Sequence, residues 1–116
     1  MINNEKEFNL EKRTTDYSIE IIRFIKLLKI NIINKPIINQ LIRSATSIGA
    51  NYSEANEADS KKDFKNKIRI SKKEAKETMY WLKLLAEIEK EKVVKIRDLY
   101  RESKEFVLIF SAILKH

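Results

Sequence analysis

Eight cations crowd one window of sixteen residues: Lys61, Lys62, Lys65, Lys67, Arg69, Lys72, Lys73 and Lys76, against only Asp63 and Glu74. Eight against two is a net +6, nearly all of the +7 carried by the whole chain. So many like charges in one place repel one another, and the simplest chemistry that uses them is capture of a polyanion. Nucleic acid is the commonest such partner, bound through its phosphates with release of counterions. Tyr80 continues the Arg69, Lys73, Lys76 row at helical spacing and can stack on an unpaired base. Arg43 is a secondary phosphate candidate; the competing reading is a salt bridge to Glu54 or another acid. An acidic protein is the alternative partner for the basic stripe. No helix-turn-helix, zinc finger or RNA-recognition aromatic pair is present, so contacts to backbone and shape are expected.

Other chemistry is excluded by inventory. The chain has no Cys, one His (His116, the last residue) and one Gly (Gly49). This leaves no thiol nucleophile, no thiolate metal site and no Ser-His-Asp constellation. A di-iron bundle needs core Glu-x-x-His pairs, and a phosphate-cradling loop needs glycines; neither can be assembled. Glu54, Glu57 and Asp59 lie close together, but a solvated helix end explains them. We therefore expect no catalytic residues, no metal, no cofactor and no small-molecule substrate.

These residues must be carried on helices. One Gly and one Pro in 116 residues leave almost nothing for the tight turns of a many-stranded sheet. Four amphipathic runs with spacings of three and four residues are legible. The first spans about Thr15 to Ile33, capped by Thr14 or Thr15, with Ile21, Ile25, Leu28 and Ile32 in its stripe and Tyr17 and Phe24 beside it. The second runs from Pro36, suited to a first helical turn, to about Ala58, through Ile38, Leu41, Ala45, Ile48, Tyr52 and Ala55. Small residues from Ser44 to Ser53, Gly49 among them, permit close approach of another helix. The third begins at the capping signature Ser60…Asp63 and continues to about Glu89 through Phe64, Ile68, Ser71, Ala75, Thr78, Leu82 and Leu85. A turn at Glu89 to Lys92 precedes the fourth, Val93 to Leu114, with Ile96, Leu99, Ser103, Phe106, Phe110 and Ile113. The expected fold is all-α: an antiparallel up-down-up-down four-helix bundle over residues 14–116, behind a flexible segment 1–13.

On a helical wheel with Lys61 at zero, Lys61, Lys62, Lys65, Arg69, Lys72, Lys73 and Lys76 fall between about 0° and 120°, and only Lys67 lies elsewhere. The core stripe centres near about 310°, so the basic face is continuous and one-sided. Ile70, Trp81, Leu84 and Ile88 form a further apolar face near about 140–200°, with Glu77 among them. Such a face is a liability on a monomer and suits an oligomer interface anchored by the only Trp.

Gln40-Leu41-Ile42-Arg43-Ser44-Ala45-Thr46-Ser47-Ile48-Gly49-Ala50-Asn51 resembles the hallmark segment of the four-helix-bundle proteins encoded in intervening sequences of bacterial 23S rRNA genes. Glu54-Ala55, Ser60, Asp63-Phe64, Lys72-Lys73-Glu74-Ala75, Glu77-Thr78 and Trp81-Leu82 extend the resemblance over nearly the whole chain. It implies a ring-shaped homopentamer and no enzymatic activity. A relative in diversity-generating retroelements is a basic pentamer that binds nucleic acid and works with a reverse transcriptase. This chain departs from some relatives in having Ser71 for Ala and in lacking a Gly within Asn56-Glu57-Ala58.

Met1 to Lys12 lacks the apolar centre of a secretory signal. No apolar stretch approaches the roughly 20 residues of a membrane span before Lys or Arg interrupts it. A cytoplasmic protein that does not engage membranes is expected.

Overall fold

The computed structural model describes residues 9–116. Among them are four α-helices and no strand: α1 (Leu10–Lys26), α2 (Lys35–Asn56), α3 (Lys61–Ile88) and α4 (Val93–Leu114), with a 3-10 turn at Lys90–Lys92. Consecutive helices run antiparallel in a body of 44 × 25 × 20 Å. The second and fourth helices lie within a residue or two of the sequence expectation. Pro36 sits in the first turn of α2, where its missing N–H costs nothing. Ser60 caps α3, its hydroxyl accepting from the Asp63 N–H at 3.0 Å.

The first helix departs from expectation at both ends. Its cap is Asn9, whose Oδ1 accepts from the Lys12 N–H at 3.3 Å, and not Thr14 or Thr15. Both threonines lie inside the helix and donate back to carbonyls, Thr14 to Leu10 at 2.7 Å and Thr15 to Glu11 at 2.8 Å. Residues 10–13 are therefore helical, where a flexible segment was expected. Leu10 is buried and Arg13 is bonded to Glu102 on α4, which ties this turn down. Residues 1–8 of the expected flexible segment lie outside the described residues. At the other end α1 stops at Lys26, not Ile33, and Ile32, expected in the core, is 88% exposed.

Two asparagines explain that early stop. Asn31 Oδ1 accepts from the N–H groups of Ile33 and Asn34 at 2.9 and 2.8 Å. Asn34, fully buried, returns the bond by accepting from the Asn31 N–H at 2.8 Å. Its amide donates to the Lys29 carbonyl at 3.0 Å and to Glu89 at 2.9 Å, linking the α1–α2 loop to the α3–α4 connection. Side chains thus take backbone groups that a longer helix would have used.

The core layers follow the three-four stripes. Tyr17, Ile21, Leu41, Ile48, Ile68, Leu82, Leu85, Leu99, Phe106 and Phe110 are essentially inaccessible. Tyr17 meets Phe106 edge-on at 5.4 Å and donates its hydroxyl to the Leu99 carbonyl at 2.8 Å. Burial pushes the Tyr17 phenol far above its ordinary pKa and keeps it a donor. Small polar residues bond across helices at close approach. Ser71 donates to the Ile48 carbonyl at 3.0 Å, Thr78 to Ser44 at 2.9 Å, and Ser103 to the Ala75 carbonyl at 2.8 Å. The Ser71 departure is thus accommodated by an α2–α3 hydrogen bond.

Gly49 serves close packing. A Cβ placed there would sit 3.1 Å from Thr14 Cβ and 3.1 Å from Thr14 Oγ1. Thr14 is buried, and its Cβ cannot rotate away from the α1 backbone. Gly49→Ala should therefore lower stability by about 1 kcal/mol, although Ala is favoured over Gly by about that amount in an open helix. Denaturant unfolding of the variant checks this; a gain in stability would show that α1 moves aside freely.

Candidate nucleic-acid interface

The 28 residues of α3 give the basic stripe its backbone. One edge of the helix faces α2, where Ser71 and Thr78 meet Ile48 and Ser44; the next faces α4, where Ala75 meets Ser103. The basic arc lies outward and toward α4. Lys61, Lys62, Arg69, Lys73 and Lys76 are exposed, while Lys65 and Lys72 lay half-buried stems along the surface. Arg69, Lys72, Lys73 and Lys76 converge with Leu114 of α4 on one open groove of about 340 Å³. Arg69 Nη1 donates to Asn66 Oδ1 at 3.0 Å, which fixes its head. None of the seven stripe cations lies within 4.0 Å of a carboxylate oxygen among the described residues.

Lys67, the residue off the wheel arc, faces α2 and pairs with Glu54 at 2.6 Å. Arg43 also leaves the basic face. Its Nη2 holds both oxygens of Glu77 at 2.9 and 3.0 Å, and Nη1 lies 3.8 Å from Glu74. The acid partner is therefore on α3, not Glu54, and Arg43 is spent on an α2–α3 clamp. The Glu74 carboxyl sits above its ordinary pKa, chiefly through burial, then through the neighbouring Glu77 charge, with Arg43 opposing. Tyr80 is 54% exposed in line with the stripe, and its ring stands edge-on to Trp81 at 5.0 Å.

Two further cations join this surface that the sequence reading passed over. Lys83 lies at about 40° on the same wheel, inside the basic arc one turn beyond Tyr80. Arg97 of α4 shares with it a groove of about 330 Å³ floored by Leu82, Ala86 and Tyr100, and the carboxylate Glu87 lines the same groove. Wheel position was enough to find Lys83. Arg97 needs the pairing of α3 with α4. The fourth helix mixes signs in sequence, but its acids segregate. Glu102 takes a two-pronged bond from Arg13 of α1 at 2.8 and 2.9 Å, and Asp98 bonds Arg101 at 3.2 Å. Arg13 also caps the Phe106 ring at 5.5 Å.

The second apolar face of α3 is partly absorbed by the bundle. Trp81 packs against the core, and Leu84 and Ile88 are half-buried, while Ile70 is exposed. The more exposed aliphatic cluster is Leu27, Ile30, Ile32 and Ile33 around the α1–α2 loop, which the assumption of a longer first helix had concealed. Glu54, Glu57, Asp59 and Asp63 line one open groove at the α2–α3 connection, together with Lys67. No group of three or more potential metal ligands occurs among the described residues, and no helix among them is long and apolar enough to cross a membrane.

The molecule is thus an antiparallel four-helix bundle with one cationic flank. The 23S rRNA-intervening sequence protein model matches residues 6–112, and the chain belongs to that family. It is similar to a crystal structure, at 1.70 Å, of a protein of unknown function from the S23 ribosomal protein family of Bacteroides thetaiotaomicron. The two share 33% identity over 91% of this chain and 98% of the other, with a TM-score of 0.79. No curated protein matches the chain in sequence.

Proposed function

We propose that this protein is a non-enzymatic nucleic-acid-binding bundle that grips the phosphate backbone of RNA or DNA through the α3 flank. The observation that carries this reading is the convergence of Arg69, Lys72, Lys73 and Lys76 on one groove, none of them in a salt bridge among the described residues. Like charges held together cost stability unless a polyanion neutralises them. Lys61, Lys62 and Lys65 extend the surface at one end, and Lys83 with Arg97 at the other. The binding should depend steeply on salt, because each neutralised phosphate releases counterions. Titration of RNA and DNA oligonucleotides across a series of salt concentrations tests it. A flat salt response refutes backbone binding. Displacement by polyglutamate as effective as by RNA favours an acidic protein partner instead.

The chain in this reading acts as a ring-shaped homo-oligomer, with a pentamer the form implied by the resemblance to the retroelement accessory proteins. The exposed Ile70, and Leu27, Ile30, Ile32 and Ile33 exposed within one seven-residue stretch, support self-association, since exposed apolar surface is costly on a monomer. Light scattering after gel filtration should give a mass several times 13.7 kDa. Trp81→Ala and Ile70→Lys should each shift the distribution toward smaller species. A monomer at high concentration, unchanged by either substitution, defeats the assembly reading. The site needs no cofactor, and the protein is expected to act in the cytoplasm.

A further inference from the structure

We infer that the nucleic acid taken by this flank is single-stranded, with Tyr80 as the platform for an unpaired base; this rests on the backbone-binding reading above. The cations of α3 recur every three or four residues, so phosphates of one strand can be met by successive helical turns about 5–6 Å apart. Near the C-terminal end of that row, between Lys76 and Lys83, stands an aromatic ring rather than a cation. Tyr80 is 54% exposed, and the edge-on contact with Trp81 at 5.0 Å holds its ring on the protein surface. A duplex would present phosphates and sugars to that ring, its base faces being stacked away. An unpaired strand presents the faces of its bases, which stack on aromatic rings while the backbone follows the cations. A second aromatic, Tyr100, is half-buried in the adjoining groove, which Lys83 and Arg97 line together with the single acid Glu87. The contacts argued here are to phosphates and to a base face, which RNA and DNA strands share, so both should bind.

The test uses the full chain and labelled twenty-nucleotide oligo-U, oligo-dT and mixed-sequence RNA and DNA duplexes of equal length, by fluorescence anisotropy at low salt. Both single strands should bind more tightly than either duplex. Tyr80→Ala should weaken single-strand binding about tenfold and leave duplex binding unchanged. Tyr80→Phe, which keeps the ring, should restore single-strand affinity. The sole Trp gives an independent signal, since a base stacked beside Trp81 should quench its emission with oligo-U or oligo-dT but not with duplex. Equal affinity for strands and duplexes, or a Tyr80→Ala variant that folds normally and binds oligo-U as the parent does, overturns the single-strand inference while leaving backbone binding in place. Failure of every oligonucleotide to bind at low salt removes both.

Discussion

Replacing Lys65, Arg69, Lys72 and Lys76 together with Ala is expected to reduce nucleic-acid affinity by roughly a thousandfold near 0.1 M salt. Each phosphate contact contributes about 0.7–0.9 to the slope of log affinity against log salt. Four lost contacts therefore flatten that slope by about 3. The electrostatic term fades toward 1 M salt, so a slope change of about 3 becomes about three decades at 0.1 M. The four residues are suited to this test because none is engaged by a carboxylate among the described residues. Three of them line one groove. The variant should unfold at the same temperature as the parent or slightly higher, because like-charge repulsion is relieved. An unchanged affinity and an unchanged salt slope in a folded variant would mean that this flank does not bind nucleic acid. Arg43→Gln provides the contrast. It should leave the salt slope nearly intact, since Arg43 is already paired with Glu77 and Glu74.

Asn34→Leu should lower the free energy of unfolding by about 3 kcal/mol, the largest loss expected from one side chain outside the hydrophobic core. Asn34 is inaccessible to water, and its side chain makes three hydrogen bonds, one to a carboxylate. Neutral bonds of this kind contribute about 0.5–1.5 kcal/mol each, and bonds to charged groups about 1.5–3. Leu leaves the Lys29 carbonyl and the Asn31 N–H without their side-chain partner and returns Glu89 to solvent. Guanidinium unfolding followed by circular dichroism measures the loss. A change under about 1 kcal/mol would show that the α1–α2 loop finds other partners. Amide exchange of Asn31 and Ile33 should quicken well before that of Ile68 or Leu82, because the loop opens locally while the α3 core stays packed.

The sequence stated the bundle clearly because helix burial is a local, periodic property. Val93 to Leu114 could be bounded to the residue, and Ser60 identified as a cap, since the three-four stripe and the cap both act within one turn. The run through Ile32 failed for the same reason turned around. Ile32 has the right spacing, but Asn31 and Asn34 divert the backbone first through local bonds, and Asn34 adds one bond to Glu89 at the end of α3. Apolar periodicity registers neither these side-chain bonds to the backbone nor the one made to a partner 55 residues away. The same limit applied to Thr14, which looked like a cap and is instead the surface against which Gly49 packs.

For the candidate site, the amino-acid sequence by itself determined which residues share the basic arc, because α3 is one unbroken helix and its angles follow from counting. Only the tertiary structure decided which charges remain available. Arg43 and Lys67 each had a carboxylate brought to them from a neighbouring helix, while Arg97 was brought to Lys83. Net charge is a sum over composition. The field a polyanion meets depends on which opposite charges lie within a few ångströms, and packing sets those distances.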